Sequence, residues 1–244
     1  MKDIRINIVD KTYQADGRSH KAIAGLDLTI QRNEFVCLVG PSGCGKTSLL
    51  NIVAGLDQQF QGQIQLGDTQ NAAHIGYVFQ EPRLLPWYTV RRNIELVCSG
   101  QPPAALIDAL LVDMQLDAVQ QQYPERLSLG MQRRVAIIRA FAINPVLLLM
   151  DEPFVSLDAP TARQIRTLLY SLWRQRPHTV LFVTHDLREA ISLADRLIFL
   201  SAAPMQVVAD IPVNLSRDER EQPAQIEAFR HHLLDNFPAI AALL

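Results

Sequence analysis

Apolar and polar positions alternate at the start of the chain. Ile4, Ile6 and Ile8 are separated by polar residues, the period-two pattern of a half-buried strand. Residues 13–21 are rich in polar residues and glycine and predict a turn, after which residues 26–30 alternate again. Phe35–Val39 is a continuous apolar run that ends in a glycine-rich loop. From Gly45 the pattern becomes helical, with Leu49, Leu50, Ile52 and Val53 bunched on one face and Gly55 placed to stop the helix. Short strands are predicted at 64–66 and 75–79.

From about residue 84 to 142 strand signals are few, and helices are predicted at 90–97, 104–112 and 129–142. Buried-strand patterning then returns at 146–150 and 179–183, on either side of an amphipathic helix over 162–175. A short helix at 187–194 and strands at 197–200 and 206–211 follow. The pattern predicts an α/β domain with a parallel sheet, interrupted by a mostly helical insertion at about 84–142. The domain occupies residues 1–215. Residues 216–244, polar and then amphipathic through Ile226, Phe229, Leu233, Leu234 and Phe237, predict a short helical extension that packs on the core or on a partner. No internal repeat is present, so the chain carries one such unit.

Composition narrows the class. With 244 residues, 48% of them hydrophobic, there is enough material for one full α/β core. A net charge of −2 supplies no global basic excess, which argues against nucleic acid as the partner. Cys37, Cys44 and Cys98 have neither metal-ligand spacing nor an even count, and they suit a reducing cytosol. The N-terminus has no apolar signal-peptide core, and no apolar run is long enough to cross a bilayer. A soluble protein is expected, reaching any membrane through a partner.

The candidate chemistry begins at residues 40–47, GPSGCGKT, which match G-x-x-x-x-G-K-[ST] between a predicted strand and a predicted helix. Gly40, Gly43 and Gly45 let the backbone curl so that N–H groups point at phosphate oxygens, and the helix N-terminus adds partial positive charge. Gly40, Pro41, Ser42, Gly43, Cys44, Gly45, Lys46, Thr47 and Ser48 are the candidate cradle. Lys46 is suited to the β- and γ-phosphates and the Thr47 hydroxyl to Mg²⁺. Asp151 and Glu152 end the apolar strand at 146–150, where ligands of parallel sheets sit. Asp151 is suited to Mg²⁺, and Glu152 to polarising a water for attack on the γ-phosphate. Cys44, beside a helix N-terminus, is either a low-pKa thiolate sensitive to oxidation or simply a small tolerated side chain.

Over about residues 1–212 the chain resembles the ATP-binding-cassette (ABC) family. The discriminating motif is LSLGMQRR at 127–134, similar to the family signature LSGGQ. The resemblance implies a P-loop NTPase core with an added N-terminal antiparallel β subdomain. It implies ATP and Mg²⁺ at a site completed by a second copy, whose Ser128 and Gly130 meet the γ-phosphate. It further implies that Gln80 senses Mg²⁺ and the attacking water, that Asp158 (in SLD, 156–158) lies in the loop crossing the dimer interface, and that His185 touches the γ-phosphate. Tyr13 is either the aromatic stacked on adenine or a packing residue. Leu129 and Met131 depart from the signature at its first glycine and its glutamine.

Residues 81–96 hold Leu84, Leu85, Trp87 and Tyr88 in a proline-bounded loop, an apolar patch that serves as a docking surface or as a local core. The wording of this stretch resembles ATP-binding subunits of bacterial importers for nitrate, sulfonates and taurine. That resemblance implies an integral membrane permease docking at 80–96, a periplasmic or lipid-anchored solute-binding protein engaged indirectly, and a location at the cytoplasmic face of the inner membrane. The expected function is hydrolysis of ATP to drive import of a small anion-type solute. The alternative is a non-transport ABC ATPase that drives a mechanical change in another complex. DNA-repair, translation-factor, kinase and exporter readings each lack their expected insertion, second cassette, motif set or membrane spans.

Overall fold

The computed structural model describes residues 3–15, 18–67, 74–98 and 103–243. In chain order the elements are β1 (Ile4–Ala15), β2 (Arg18–Ile30), β3 (Phe35–Val39), α1 (Lys46–Val53) and β4 (Gln61–Leu66). Then come β5 (Ile75–Val78), α2 (Val90–Glu95), α3 (Ala104–Asp113), α4 (Leu129–Phe141), β6 (Leu147–Asp151) and α5 (Ala159–Gln175). The chain closes with β7 (Thr179–Thr184), α6 (Leu187–Leu193), β8 (Arg196–Leu200), β9 (Val207–Pro212), α7 (Arg217–Arg220), α8 (Pro223–Asn236) and α9 (Pro238–Ala241). These elements fall into two units, Met1–Asn71 with Thr179–Leu244, and Ala72–His178.

The first unit contains two sheets. In the antiparallel one, β1 lies between β2 and β4, with Ile4 opposite Ile30 on one side and Leu66 on the other. The alternating isoleucines face inward, and Ile4, Ile6 and Ile8 are all buried. The turn expected over 13–21 is a correction. Tyr13 pairs with His20 and Gln14 with Ser19, so most of that segment is strand, and residues 16–17 lie outside the described ones. Cross-strand pairing outweighs the polar composition of the segment, as it readily does for β-structure.

In the second sheet of this unit β3 is flanked in parallel by β7 and β8, and β9 runs antiparallel to β8. β3 and β7 are buried at every position, which explains why both read as unbroken apolar runs. The C-terminal extension packs on this same unit. Arg220, buried, donates to the carbonyls of Leu215, Ala194 and Val213. Arg217 pairs with Asp195, and Arg188 of α6 with Glu227 of α8 at 2.8 Å. Leu233 and Ile240 are buried. Through these residues the tail packs on the chain's own core.

In the second unit β5 and β6 pair in parallel, Ile75 opposite Leu147 and Val78 opposite Met150. Helix α4 lies close to β5. A Cβ on Gly76 would come within 2.6 Å of the Ala140 carbonyl, so only glycine permits this approach. Ser128 caps α4 and Asp158 caps α5, each side chain accepting a backbone N–H of the first turn. Among the described residues no helix is long and apolar enough to cross a membrane.

Arg220→Met is expected to destabilise the first unit by about 3 kcal/mol, because three carbonyls, two of them in buried bonds, lose a charged donor. Urea denaturation of the variant reads this directly, and a loss below about 1 kcal/mol would count against the tail as a structural brace.

Candidate functional site

The loop between β3 and α1 is shaped by its glycines. Gly43 and Gly45 have φ of 76° and 110°, in the left-handed region that β-carbons disfavour. A Cβ on Gly40 would sit 2.9 Å from the Leu200 carbonyl oxygen. Gly45 directly precedes the first residue of α1, so the free N–H groups of that helix open onto the loop. Lys46 folds back, its Nζ donating to the carbonyls of Gly40 at 2.8 Å and Pro41 at 2.9 Å. Ser42, Gly43 and Thr47 are exposed, Pro41, Gly45 and Ser48 partly so.

Cys44 is buried within the loop, at 2% exposure. That burial pushes its thiol up, and the lowering effects of Lys46 and nearby backbone N–H groups do not offset it. The thiolate alternative is therefore corrected. Desolvation of the anion outweighs the helix N-terminus.

The same unit holds two more candidates. Tyr13, on β1, exposes 37% of its surface. Its hydroxyl donates to Asp57 at 3.2 Å, and the buried Lys11 lies 4.3 Å from its ring centroid. His185 is exposed just after β7. The turn behind it is set by Thr184, whose hydroxyl donates to Glu189 and accepts the Asp186 N–H.

The second unit carries the remaining candidates. Asp151 ends β6 and is 5% exposed; Glu152 follows with φ 43°. Ser156 has φ 65°, so this loop holds two non-glycine residues in the left-handed region. Such positions cost about 1 kcal/mol or more each and cluster at functional sites. Asp158 caps α5 through the Thr161 N–H at 3.0 Å, and this bond holds its carboxyl below the usual range. Ser128 accepts the Met131 N–H at 3.3 Å and keeps its own O–H to donate. Gly130 is buried, and a Cβ there would lie 2.7 Å from Thr161 Cγ2. Packing against α5 is therefore reason enough for a glycine here. Leu129 stands exposed beside them at 38%.

Gln80 is exposed at the end of β5, and the loop after it is held by residues outside the candidate set. Arg133 donates to the carbonyls of Phe79 and Gln80, and Arg139 to those of Pro82 and Arg83. Asn93, buried at 1% exposure, accepts the Leu85 N–H and donates to the carbonyls of Leu85, Tyr88 and Thr89. The only signal for these residues was polar side chains on the inward face of helices. The patch divides accordingly. Leu84, Leu85 and Tyr88 are half-buried against the helices, and Trp87 points outward at 65% exposure.

A glycine-shaped phosphate loop before a helix, an acidic pair ending a parallel strand and a serine-capped LSLG helix together define an ATP-binding cassette. Residues 23–155 match the model of the ABC transporter family, and the chain belongs to that family. It is accordingly an ATP-hydrolysing subunit of the transporter type. It is 36% identical to the aliphatic sulfonates import ATP-binding protein SsuB of Bacillus subtilis, over 96% of this chain and 94% of that one. It is 40% identical to SsuB 2 of Burkholderia cenocepacia, over 88% of this chain and 81% of that one. Among solved structures it resembles the dimeric post-hydrolysis state of the ATP-binding cassette MJ0796 bound to ADP and Pi. That match has a TM-score of 0.74 and 31% identity, and it covers 87% of this chain and all of that one.

Iodoacetamide at about pH 8 is expected to modify the partly exposed Cys98 about tenfold faster than the buried Cys44. Peptide mass spectrometry over a time course checks this, and equal rates would restore the thiolate reading.

Proposed function

We propose that this chain powers import of aliphatic sulfonates or a related small anionic solute, as one of two ATP-binding subunits on a membrane permease. The observation that carries the proposal is the similarity to SsuB along 96% of the chain, coinciding with a phosphate loop whose glycine geometry is intact. The relatives' names favour transport over a mechanical role in another complex. The dimeric cassette it resembles favours pairing with a second copy.

In this reading Tyr13 stacks on adenine, and the N–H groups of residues 40–48 and the Lys46 ammonium hold the phosphates. Lys46 exchanges the carbonyls of Gly40 and Pro41 for phosphate oxygens of greater charge. Thr47, Gln80 and Asp151 offer hydroxyl, amide and carboxylate oxygens, the hard donors that Mg²⁺ prefers, and would hold that ion. Bound there, Mg²⁺ would supply positive charge against the negative charge developing on the phosphoryl oxygens. Glu152 accepts a proton from the attacking water, Gln80 orients that water, and His185 contacts the γ-phosphate. Ser128 and Gly130 of the second copy close on the same phosphate, with Asp158 lining the shared face. Leu129, exposed beside Ser128, belongs to that closing surface and makes it more apolar than a glycine would.

Trp87 and the loop around it receive the permease. An exposed tryptophan on a loop pinned by Asn93, Arg133 and Arg139 suits a docking anchor, because little order remains to be paid on binding. The subunit then lies at the cytoplasmic face of the membrane, held there by the permease, and a solute-binding protein delivers the sulfonate from the other side.

Glu152→Gln is expected to lower ATP turnover at least a hundredfold while ATP binding persists, measured as phosphate release beside nucleotide affinity. Unchanged turnover would remove Glu152 as the base. A Trp87→Asp, Leu85→Asp variant is expected to lose its permease in co-purification, and equal recovery would displace the docking site. Uptake of alkanesulfonates, taurine and nitrate by the reconstituted complex decides the solute, and transport of none of them would overturn the anion assignment.

A further inference from the structure

Arg133 lies in α4, five residues after the capping Ser128, and is 3% exposed. Its Nη1 donates to the carbonyls of Phe79, at 3.3 Å, and Gln80, while Nη2 donates to the Val155 carbonyl at 3.3 Å. The three carbonyls come from two separate segments, the loop after β5 and the loop after β6. A guanidinium is planar and carries its donors in a fixed fork, so it sets the spacing of the groups it joins. The Val155 N–H in turn donates to the Glu152 carbonyl at 3.2 Å, which continues the connection to the residue at the end of β6.

Packing alone does not account for this side chain. Burial lowers the pKa of the guanidinium, and the charge of Glu81 counters that only in part. Its Nε has no hydrogen-bond partner among the described residues. An apolar residue would fill the space without that desolvation cost. What the guanidinium adds is a rigid join between two irregular loops and the helix that bears the LSLG motif.

We infer that Arg133 is a positioning residue for ATP hydrolysis, tying the Gln80 and Val155 peptides to α4 so that the loop after β5 and the loop of Glu152 move as one body. The inference rests on the roles given to Gln80 and Glu152 under Proposed function. A partner that shifts residues 80–89 then shifts the 152–158 loop with them.

The test uses the purified full chain. In a folded Arg133→Gln variant, turnover is expected to fall about tenfold with KM for ATP within about twofold of wild type. Hydrogen–deuterium exchange is expected to quicken about fivefold in both peptides, 79–83 and 152–157. Turnover within about twofold of wild type, or faster exchange in one segment alone, overturns the inference. If Arg133→Gln does not fold, Arg133→Lys carries the same two readouts, because it keeps the cation and loses the fork. Smaller losses in both readouts support the tie, and wild-type values in both overturn it. A Gln80→Ala variant at the wild-type rate removes the role of Gln80 alone, while coupled exchange in Arg133→Gln still supports the tie.

Discussion

Irregular backbone near a ligand leaves carbonyl groups outside any ladder, and each of those must find a donor or pay for its burial. In this protein long cationic side chains take them up. Lys46 holds the carbonyls of Gly40 and Pro41, Arg133 those of Phe79, Gln80 and Val155, and Arg139 those of Pro82 and Arg83. Arg220 does the same for three carbonyls around β8 and β9, and Arg134 for Met114 at 3.0 Å. The loops that carry chemistry are therefore held without being regular. A guanidinium suits this work because it offers several donors, is always charged and needs no carboxylate partner to be satisfied.

The arrangement differs between the two units in a way that matters for function. In the first, the phosphate loop is shaped by glycine conformations and by a lysine that folds back on its carbonyls. In the second, the loops around Gln80 and Val155 are clamped by residues with no ligand role of their own. Strain is stored in the same place, at Glu152 and Ser156, whose left-handed backbones persist because the surroundings determine them. A loop that is strained and clamped has few alternative conformations, and that is the property the proposed base and interface roles require.

How much was legible from the sequence follows from the range of the forces involved. The strand periods, the phosphate loop, the acidic pair and the signature-like motif all depend on neighbours within a few residues, so they show in the order of residue types. Apart from β1 and β2, which run on through the expected turn, each strand and helix expected on those grounds is present within a few residues of its expected ends. The turn at 13–21 was misread because its polar residues are strand by virtue of partners in β2. Cys44 was left open because a local rule, the helix N-terminus, competes with burial, and burial is a property of the fold.

The sequence by itself determined which residue types stand where: a lysine and glycines in a strand-to-helix loop, carboxylates at a strand end, a serine and glycine at a helix start. Only the tertiary structure decided what holds that chemistry in place. Arg133, Arg139 and Asn93 look like ordinary helix residues in the chain, because their partners are backbone carbonyls 4 to 57 positions away. Carbonyls carry no letter in a sequence. The same holds for the tail, whose place on its own core rests on Arg220 reaching the carbonyls of Ala194 and Val213, and for Gly130, whose missing side chain is explained by Thr161.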